Sequence, residues 1–296
     1  MWLLFTLIST LMWAFVNVLD SLIVRNYEKN PFVLMWCQSF FSLLVLAVLP
    51  LWIDLSFSSW VPFLMLFGVA AFLGDLWFFK ILRHIDVSVT NAAWAIHSLL
   101  ASVAGFLIFQ ESWTLLQTGG AMMILAGILL LSFLHHSEGI GRTLGFLVSL
   151  AFLYLPYYIM KKAAIDANVG IANVFFWMLL GRELLAFSVP WFVPSVRRSA
   201  VKVLRSGWSF SLFNGVVILC FLLGELFGAY AYETGTISLV SIVSDIQPFI
   251  VIGLAWLFVQ FLPSRAPREL LTMQSVQVKL ISFSIVFGGL ALLAFG

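Results

Sequence analysis

Charge is what this chain has least of. Only 9% of its 296 residues are charged and 62% are hydrophobic, with a mean hydropathy of +1.09. Soluble domains carry about 25% charged residues, so a chain this apolar has a bilayer as its solvent. Alternating ten-residue segments with polar lumen positions are missing too, which sets aside a β-barrel. The two cysteines, Cys37 and Cys220, lie in apolar runs and offer neither a disulfide framework nor Cys/His zinc spacing. There is no His-Glu-x-x-His, no Gly-x-Ser-x-Gly and no acidic metal motif, so no enzyme, metal or cofactor is expected. A Walker Gly-Lys-Ser/Thr is also absent, which removes ATP as a direct energy source. The net charge of +2 is spread over connections rather than gathered on one face, so no nucleic-acid partner is expected. Met1-Trp2-Leu3-Leu4 has no basic segment before its apolar run and no small-residue cleavage site follows, so the first helix should be retained.

What is present is a series of apolar runs of about 20 residues, the length that spans a hydrocarbon core. Ten helices fit, at 2–24, 32–53, 61–82, 88–109, 114–134, 143–164, 170–193, 208–230, 236–259 and 274–295. The expectation is an all-α membrane protein with the bilayer as its first partner. Residues 73–110 read as helix, short polar turn, helix, and the same plan returns 150 residues later. Gly224-Glu225 then stands under Gly74-Asp75, Ser238 under Ser88 and Gln260 under Gln110. Weaker offsets pair Asn17 with Tyr154, Gln38 with Arg182 and Gly127 with Gly288. The chain thus divides into a five-helix repeat at 1–134, a polar linker at 135–142 and a second five-helix repeat at 143–296. Five is odd, so the second repeat runs through the membrane inverted, the arrangement many transporters build around a midplane site.

Cations set the orientation. Connections 1–2, 3–4, 5–6, 7–8 and 9–10, with the helix ends facing them, hold 12 of the 15 lysines and arginines. The opposite side holds Lys161 and Lys162, and Arg182 lies within a helix. The positive-inside rule then puts both termini outside the cytoplasm of a multi-pass protein in the cell (inner) membrane.

Ionisable residues inside a bilayer are expensive and face the bundle interior. Asp75 and Glu225, at matched places in the two repeats, are therefore candidates for a proton or cation pathway; the alternative is that each only accepts a hydrogen bond between packed helices. The fourth helix presents Asn91, Trp94, His97 and Ser98 on one face, and the ninth answers with Ser241, Ser244, Asp245, Gln247 and Pro248. Two such polar stripes would line a cavity. His97 is either half of a His–Asp proton relay or a satisfied interhelical hydrogen bonder. Pro248, near the centre of the ninth helix, is a hinge or a simple bend. Asn17 faces Tyr154, Tyr157 and Tyr158 in the same matched sense, while Asp20 is read as snorkelling to the interface. Arg182-Glu183 suggests an internal ion pair with a neighbour such as Gln38. Gly119, Gly120, Gly127, Gly288 and Gly289 read as close-packing positions between helices 5 and 10.

Residues 85–93 leading into an apolar helix, then Gln110-Glu111, then Gly119-Gly120 through Ile124 to Gly127, resemble the EamA domain of the drug/metabolite transporter superfamily. Ser238, Pro248 and Gly288-Gly289 are similar to the second EamA repeat, and Trp13-Ala14-Phe15-Val16-Asn17 to the opening helix. The resemblance implies an exporter or exchanger working by alternating access between two repeats, in which the last helix of each half packs away from the cavity. It departs from the family's pattern in having Gln110-Glu111 in place of the usual glutamate-glycine order at the end of the fourth helix, and Gln260 with no acid after it in the second copy. Acids with aromatics lean towards an amino acid, an amine or a lipophilic drug as the small-molecule substrate, with proton coupling open. A monomer or homodimer is expected. The other reading is a non-transporting partner or sensor subunit.

Overall fold

The computed structural model describes residues 1–84, 87, 90, 93–132, 140–205, 208–261 and 273–295. Within them the chain forms α-helices and no strand. In order these are α1 (Trp2–Asn26), α2 (Pro31–Val48, extended by a 3₁₀ turn at Leu49–Leu51), α3 (Val61–Ile81), α4 (Ala93–Ile108), α5 (Leu115–Ser132) and α6 (Ile140–Asp166). There follow α7 (Ile171–Phe192), α8 (Pro194–Leu204), α9 (Trp208–Thr234), α10 (Ile237–Ser244), α11 (Gln247–Phe261) and α12 (Met273–Phe295). An apolar sequence in lipid has no water for its peptide groups, and helices satisfy them internally. Starts are marked locally: Asn30 accepts from the Phe32 amide at 3.1 Å with Pro31 in the first helical position, and Thr236 accepts from the Leu239 amide at 3.2 Å. Among the described residues, six segments are long and apolar enough to cross a bilayer: Trp2–Asn26, Pro31–Leu51, Val61–Ile81, Ile171–Phe192, Phe210–Thr234 and Ile237–Phe261. This is a multi-pass membrane protein.

Three features differ from expectation. Most of the linker, 133–139, lies outside the described residues, but Ile140 already begins α6. The connection after the seventh helix contains α8, whose Val196, Ala200 and Val203 are buried while Arg197, Arg198 and Lys202 are exposed. That division suits a helix lying flat at the membrane surface. The ninth helix is broken. α10 stops at Ser244, Asp245 and Ile246 form a turn, and α11 starts at Gln247, so Pro248 sits in a first turn rather than mid-helix. There its missing N–H would have no intrahelical partner in any case.

Packing partners are exchanged consistently between the halves. α1 packs on α9 as α6 does on α3, α1 packs on α10 and α11 as α6 does on α4, and α5 packs on α12. Glycines allow the tightest of these contacts. A Cβ at Gly127 would stand 2.8 Å from the Ser282 carbonyl oxygen, and one at Gly289 would stand 2.6 Å from that of Gly120. Gly119, expected at the same seam, faces open space. Between α3 and α7, a Cβ at Gly68 would strike the Met178 carbonyl and one at Gly181 the Met65 carbonyl. Backbone cannot give way as a flexible side chain does, so Gly181→Ala should lower stability in detergent by about 1–3 kcal/mol. Because Gly181 precedes Arg182, the same change should move that side chain; a thermal unfolding curve matching wild type would contradict the close packing described here.

Candidate functional site

The two matched acids do not touch each other. Each is held by a cation and a tyrosine from the second half. On α3, the Asp75 carboxylate accepts from the Tyr154 hydroxyl and, at 2.6 Å, from Nε of Arg182. The same guanidinium bonds the Glu183 carboxylate and lies 4.4 Å from the centre of the Phe221 ring. On α9, Glu225 accepts from the Tyr157 hydroxyl at 2.5 Å and from Nζ of Lys161 at 2.6 Å. Lys161 also sits over the rings of Tyr157 and Tyr158, at 4.5 and 5.2 Å. The side chains of both pairs are almost wholly buried, where partners must be matched for the charges to be tolerated. Lys161 and Lys162, placed by the charge count on the far side of the membrane, are both buried: Lys162 bonds the carbonyls of Tyr232 and Gly235 at 3.0 and 3.3 Å. Those carbonyls end or follow α9, where a cation completes the helix.

Beside Glu225 lies a cavity of about 60 Å³, between α1, α4, α6, α9 and the broken α10–α11 pair. Trp94, His97 and Ser98 line it from α4, and Ser241, Ser244, Asp245 and Gln247 from the other side. Thr6, Ser9, Thr10 and Trp13 of α1 close a third wall. His97 stacks edge-on against Tyr158 with ring centres 4.7 Å apart, and Trp94 lies 5.0 Å from Tyr154. Several of these groups are buried with hydrogen-bonding capacity unused: Trp94 Nε1, His97 Nε2, both oxygens of Asp245, and Ser241 Oγ, which stands near the Tyr232 hydroxyl without a hydrogen bond of ordinary geometry to it. Ser98 stands close to the Asp245 carboxylate, yet neither makes a hydrogen bond of ordinary geometry. The helix break is what turns Asp245 to this place. Buried polar groups are normally paired, so the cluster of unpaired ones around this cavity makes it the candidate site.

The expected residues separate into two groups. Trp94, His97, Ser241 and Asp245 come together at the cavity with Glu225, and no hydrogen bond joins His97 to Asp245. Asn17, Asp75 and Tyr154 line a second, smaller cavity of about 20 Å³ with Asp20, Gln38 and Arg182. Trp13 and Trp94 line both. Pro248 is the second residue of α11, one past Gln247 of the cavity wall, and Asn91 lies outside the described residues. Asp20 does not reach the interface: it is buried and accepts from Nε2 of Gln38 at 2.8 Å. Sequence reasoning missed Lys161 and Arg182 as partners of the acids. The signal was their position on helices whose matched residues, Asn17 and Gln38, had already been singled out.

Residues 1–133 match the sequence profile of the EamA-like transporter family, within the drug/metabolite transporter superfamily. The matched segment is the first 133 of 296 residues, and the likeness is to membrane transporters of the drug/metabolite type. No curated protein matches the chain by sequence. A solved structure titled "Crystal structure of protein" superposes on 99% of this chain and 97% of its own with a TM-score of 0.65, at 17% sequence identity. At that identity the likeness shows the fold. The EamA-like half supplies one wall of the cavity (Trp94, His97, Ser98), and residues beyond 133 supply Asp245 and both buried lysines.

Lys161→Met leaves Glu225 as an uncompensated buried charge and should cost about 3–5 kcal/mol of stability. Adding Glu225→Gln should restore most of that loss, because both charges are then gone. Thermal unfolding of the three proteins in detergent checks this, and a double variant no more stable than Lys161→Met would refute the pairing.

Proposed function

We propose that this chain is a secondary active transporter, exporter or exchanger, of a small metabolite, moved by alternating access between two inverted five-helix halves at 1–134 and 143–296. The observation that carries the reading is the cavity at the helix break, walled by both halves and lined by the unpaired polar groups of Trp94, His97, Ser241 and Asp245. Broken helices facing a midplane cavity are how transporters present backbone and side-chain groups to a substrate without exposing them to lipid. The exchange of packing partners between the halves supports a pseudo-two-fold relating them. The remaining helices, α4, α5, α6 and α12, complete ten spans in this reading. At about 60 Å³ the cavity holds a few waters, so the halves must part to load a metabolite, and closing them again would leave it sealed from both sides.

The lining favours a substrate with a positive nitrogen. Asp245 is a buried carboxylate with no ion pair, and Trp13, Trp94, Tyr158 and Tyr232 surround the cavity with aromatic faces that attract cations. An amino acid, an amine or a lipophilic drug bearing an amine meets that description; Lys161, already in the cavity wall, would answer a carboxylate on the first of these. Orientation follows the charges. An open recess of about 460 Å³ at the end of α1 is lined by Arg25, Lys29 and Arg83, and exposed cations line α8. With Lys161 and Lys162 withdrawn into the bundle, the positive-inside count becomes more one-sided, which supports a reading with this face in the cytoplasm and both termini outside the cell membrane.

Asp245→Asn should abolish the thermal shift produced by the amine or amino acid that stabilises wild-type protein in detergent, while leaving its unliganded melting temperature within a few degrees. In proteoliposomes it should reduce flux of that compound at least tenfold, and Asp75→Asn with Glu225→Gln should abolish coupled transport. Wild-type flux by the Asp245→Asn protein would refute the site. For orientation, a C-terminal tag should be labelled by antibody on intact cells; labelling only after permeabilisation would reverse it.

A further inference from the structure

The cavity at Asp245 leaves a second acid unexplained. Asp20 lies on α1 with 4% of its surface exposed, and its carboxylate makes a single hydrogen bond, to the neutral amide of Gln38 at 2.8 Å. It forms no ion pair. Among the described residues the buried carboxylates are Asp20, Asp75, Glu183, Glu225 and Asp245, and the buried cations are Lys161, Lys162 and Arg182. Lys161 is committed to Glu225, Lys162 to Asp166 and two carbonyls, and Arg182 to both Asp75 and Glu183. Nothing positive remains for Asp20.

The one cation that attracts it across the small cavity, Arg182, is already shared by Asp75 and Glu183. Asp75 of α3 is a second acid on the same small cavity, and Arg182 of α7 reaches across that cavity to Asp75 rather than to Asp20. Tyr154 of α6 is turned to Asp75 as well. α9 contributes only Val217, Ile218 and Phe221, and α2 only the neutral Gln38. The cations Arg25, Lys29 and Arg83 line the open recess, whose wall begins at Ser21, one residue along α1. A lone carboxylate taken out of water without a counter-ion neutralises by binding a proton.

We propose that Asp20 is a proton-binding site: it holds a proton in this closed conformation and is the residue through which pH acts on transport, separate from the substrate cavity at Asp245. The coupling part of this rests on the transporter reading above; the proton itself does not. Arg182 makes the site switchable. When it is drawn to Asp75 and Glu183, Asp20 keeps its proton. When the halves part and α7 shifts against α1, Arg182 or water can meet the Asp20 carboxylate, and the proton leaves through the recess at Ser21. Reloaded from the opposite face when the halves open there, Asp20 carries one proton across per cycle by way of α1, while the substrate travels by α4 and α10–α11.

Infrared spectroscopy of the purified full-length protein in detergent tests the proton directly. In the Asp245→Asn background, which removes the other uncompensated buried acid, the protein should show a carboxylic-acid C=O stretching band that moves on exchange into heavy water, and adding Asp20→Asn should remove that band. Gln38→Leu in the same background keeps the acid but deletes its hydrogen bond, so the band should shift to higher frequency, which covers the case in which Asp20→Asn folds poorly. In proteoliposomes, Asp20→Asn should still exchange substrate down its gradient but lose its response to an imposed pH difference. A band that persists unchanged when Asp20→Asn is added, or is unmoved by Gln38→Leu, overturns the proton site. An unaltered pH response in Asp20→Asn overturns the coupling. If no amine or amino acid is transported by the wild type, the transporter reading fails, and the infrared result still decides whether Asp20 carries a proton.

Discussion

Buried charge is the constraint from which most of this structure follows. In the low-dielectric centre of a bundle a lone ion is intolerable, and an ion pair is tolerated only with near-complete hydrogen bonding. Asp75 and Glu225 meet that condition by drawing Arg182 and Lys161 inward, each with a tyrosine to occupy a further lone pair. Arg182 can satisfy two carboxylates and an aromatic face because its planar guanidinium presents several donors in fixed directions. A lysine there could not span the same partners. The close crossing of α3 and α7 at Gly68 and Gly181 brings the two backbones near enough for that reach.

The pairing is also lopsided, and the lopsidedness carries information. By the sequence offsets, Tyr154 and Arg182 correspond to Asn17 and Gln38 of the first half. If the halves were functionally equal, Glu225 would lean on Asn17 and Gln38 as Asp75 leans on Tyr154 and Arg182. Instead Glu225 is held by Tyr157 and Lys161 of α6, and Gln38 turns to Asp20. Both acids of the matched pair are therefore tethered to the second half. The first half keeps neutral amides at the equivalent positions and an acid, Asp20, without a cation. On the proposed reading of two inverted repeats, the charge distribution is asymmetric where the backbone plan repeats, which is what a carrier would need if its two access states are to differ in which ligand they prefer.

The elements themselves were largely legible in the sequence because bilayer thickness sets helix length and hydropathy marks it. Most expected helices lie within a few residues of the observed ones. What could not be read was anything that depends on two helices meeting. Lys161 looked like a loop cation because hydropathy treats a lysine as a surface signal, and only the position of Glu225 across the bundle makes it a core residue. Asp20 looked like a snorkelling end because its sequence distance from Arg25 is short, while its burial is decided by α2. α8 escaped notice because eleven residues rich in cations read as a connection; its buried Val196, Ala200 and Val203 are too few to stand out from the apolar runs around them. Trp94, His97, Ser241 and Asp245 were legible as two stripes, but the break that brings Asp245 to the cavity was not, since Pro248 suggests a bend at itself and the chain turns just before it.

The two ends of the bundle are closed by different means. Near the start of α1, Trp2 packs against Gly235, and Glu111 reaches from the first half to the beginning of α10. Its carboxylate accepts from the amides of Ile237 and Ser238, at 2.7 and 3.2 Å, and from the Ser238 hydroxyl. A carboxylate on free N–H groups at a helix start also meets the positive end of the helix dipole. Gly105 leaves room for it, since a Cβ there would collide with both Glu111 and Ser238. Gln110, in a left-handed conformation with φ of 54°, turns the chain so that Glu111 points inward. At the far end of α1 there is no such cap but an open basic recess lined by Ser21, Arg25, Lys29 and Arg83. One end is thus sealed by directional hydrogen bonds between the halves, which break together or not at all. The other opens as a basic recess whose wall includes Ser21, the residue after Asp20, so the two ends of α1 meet their surroundings in different ways within a single conformation.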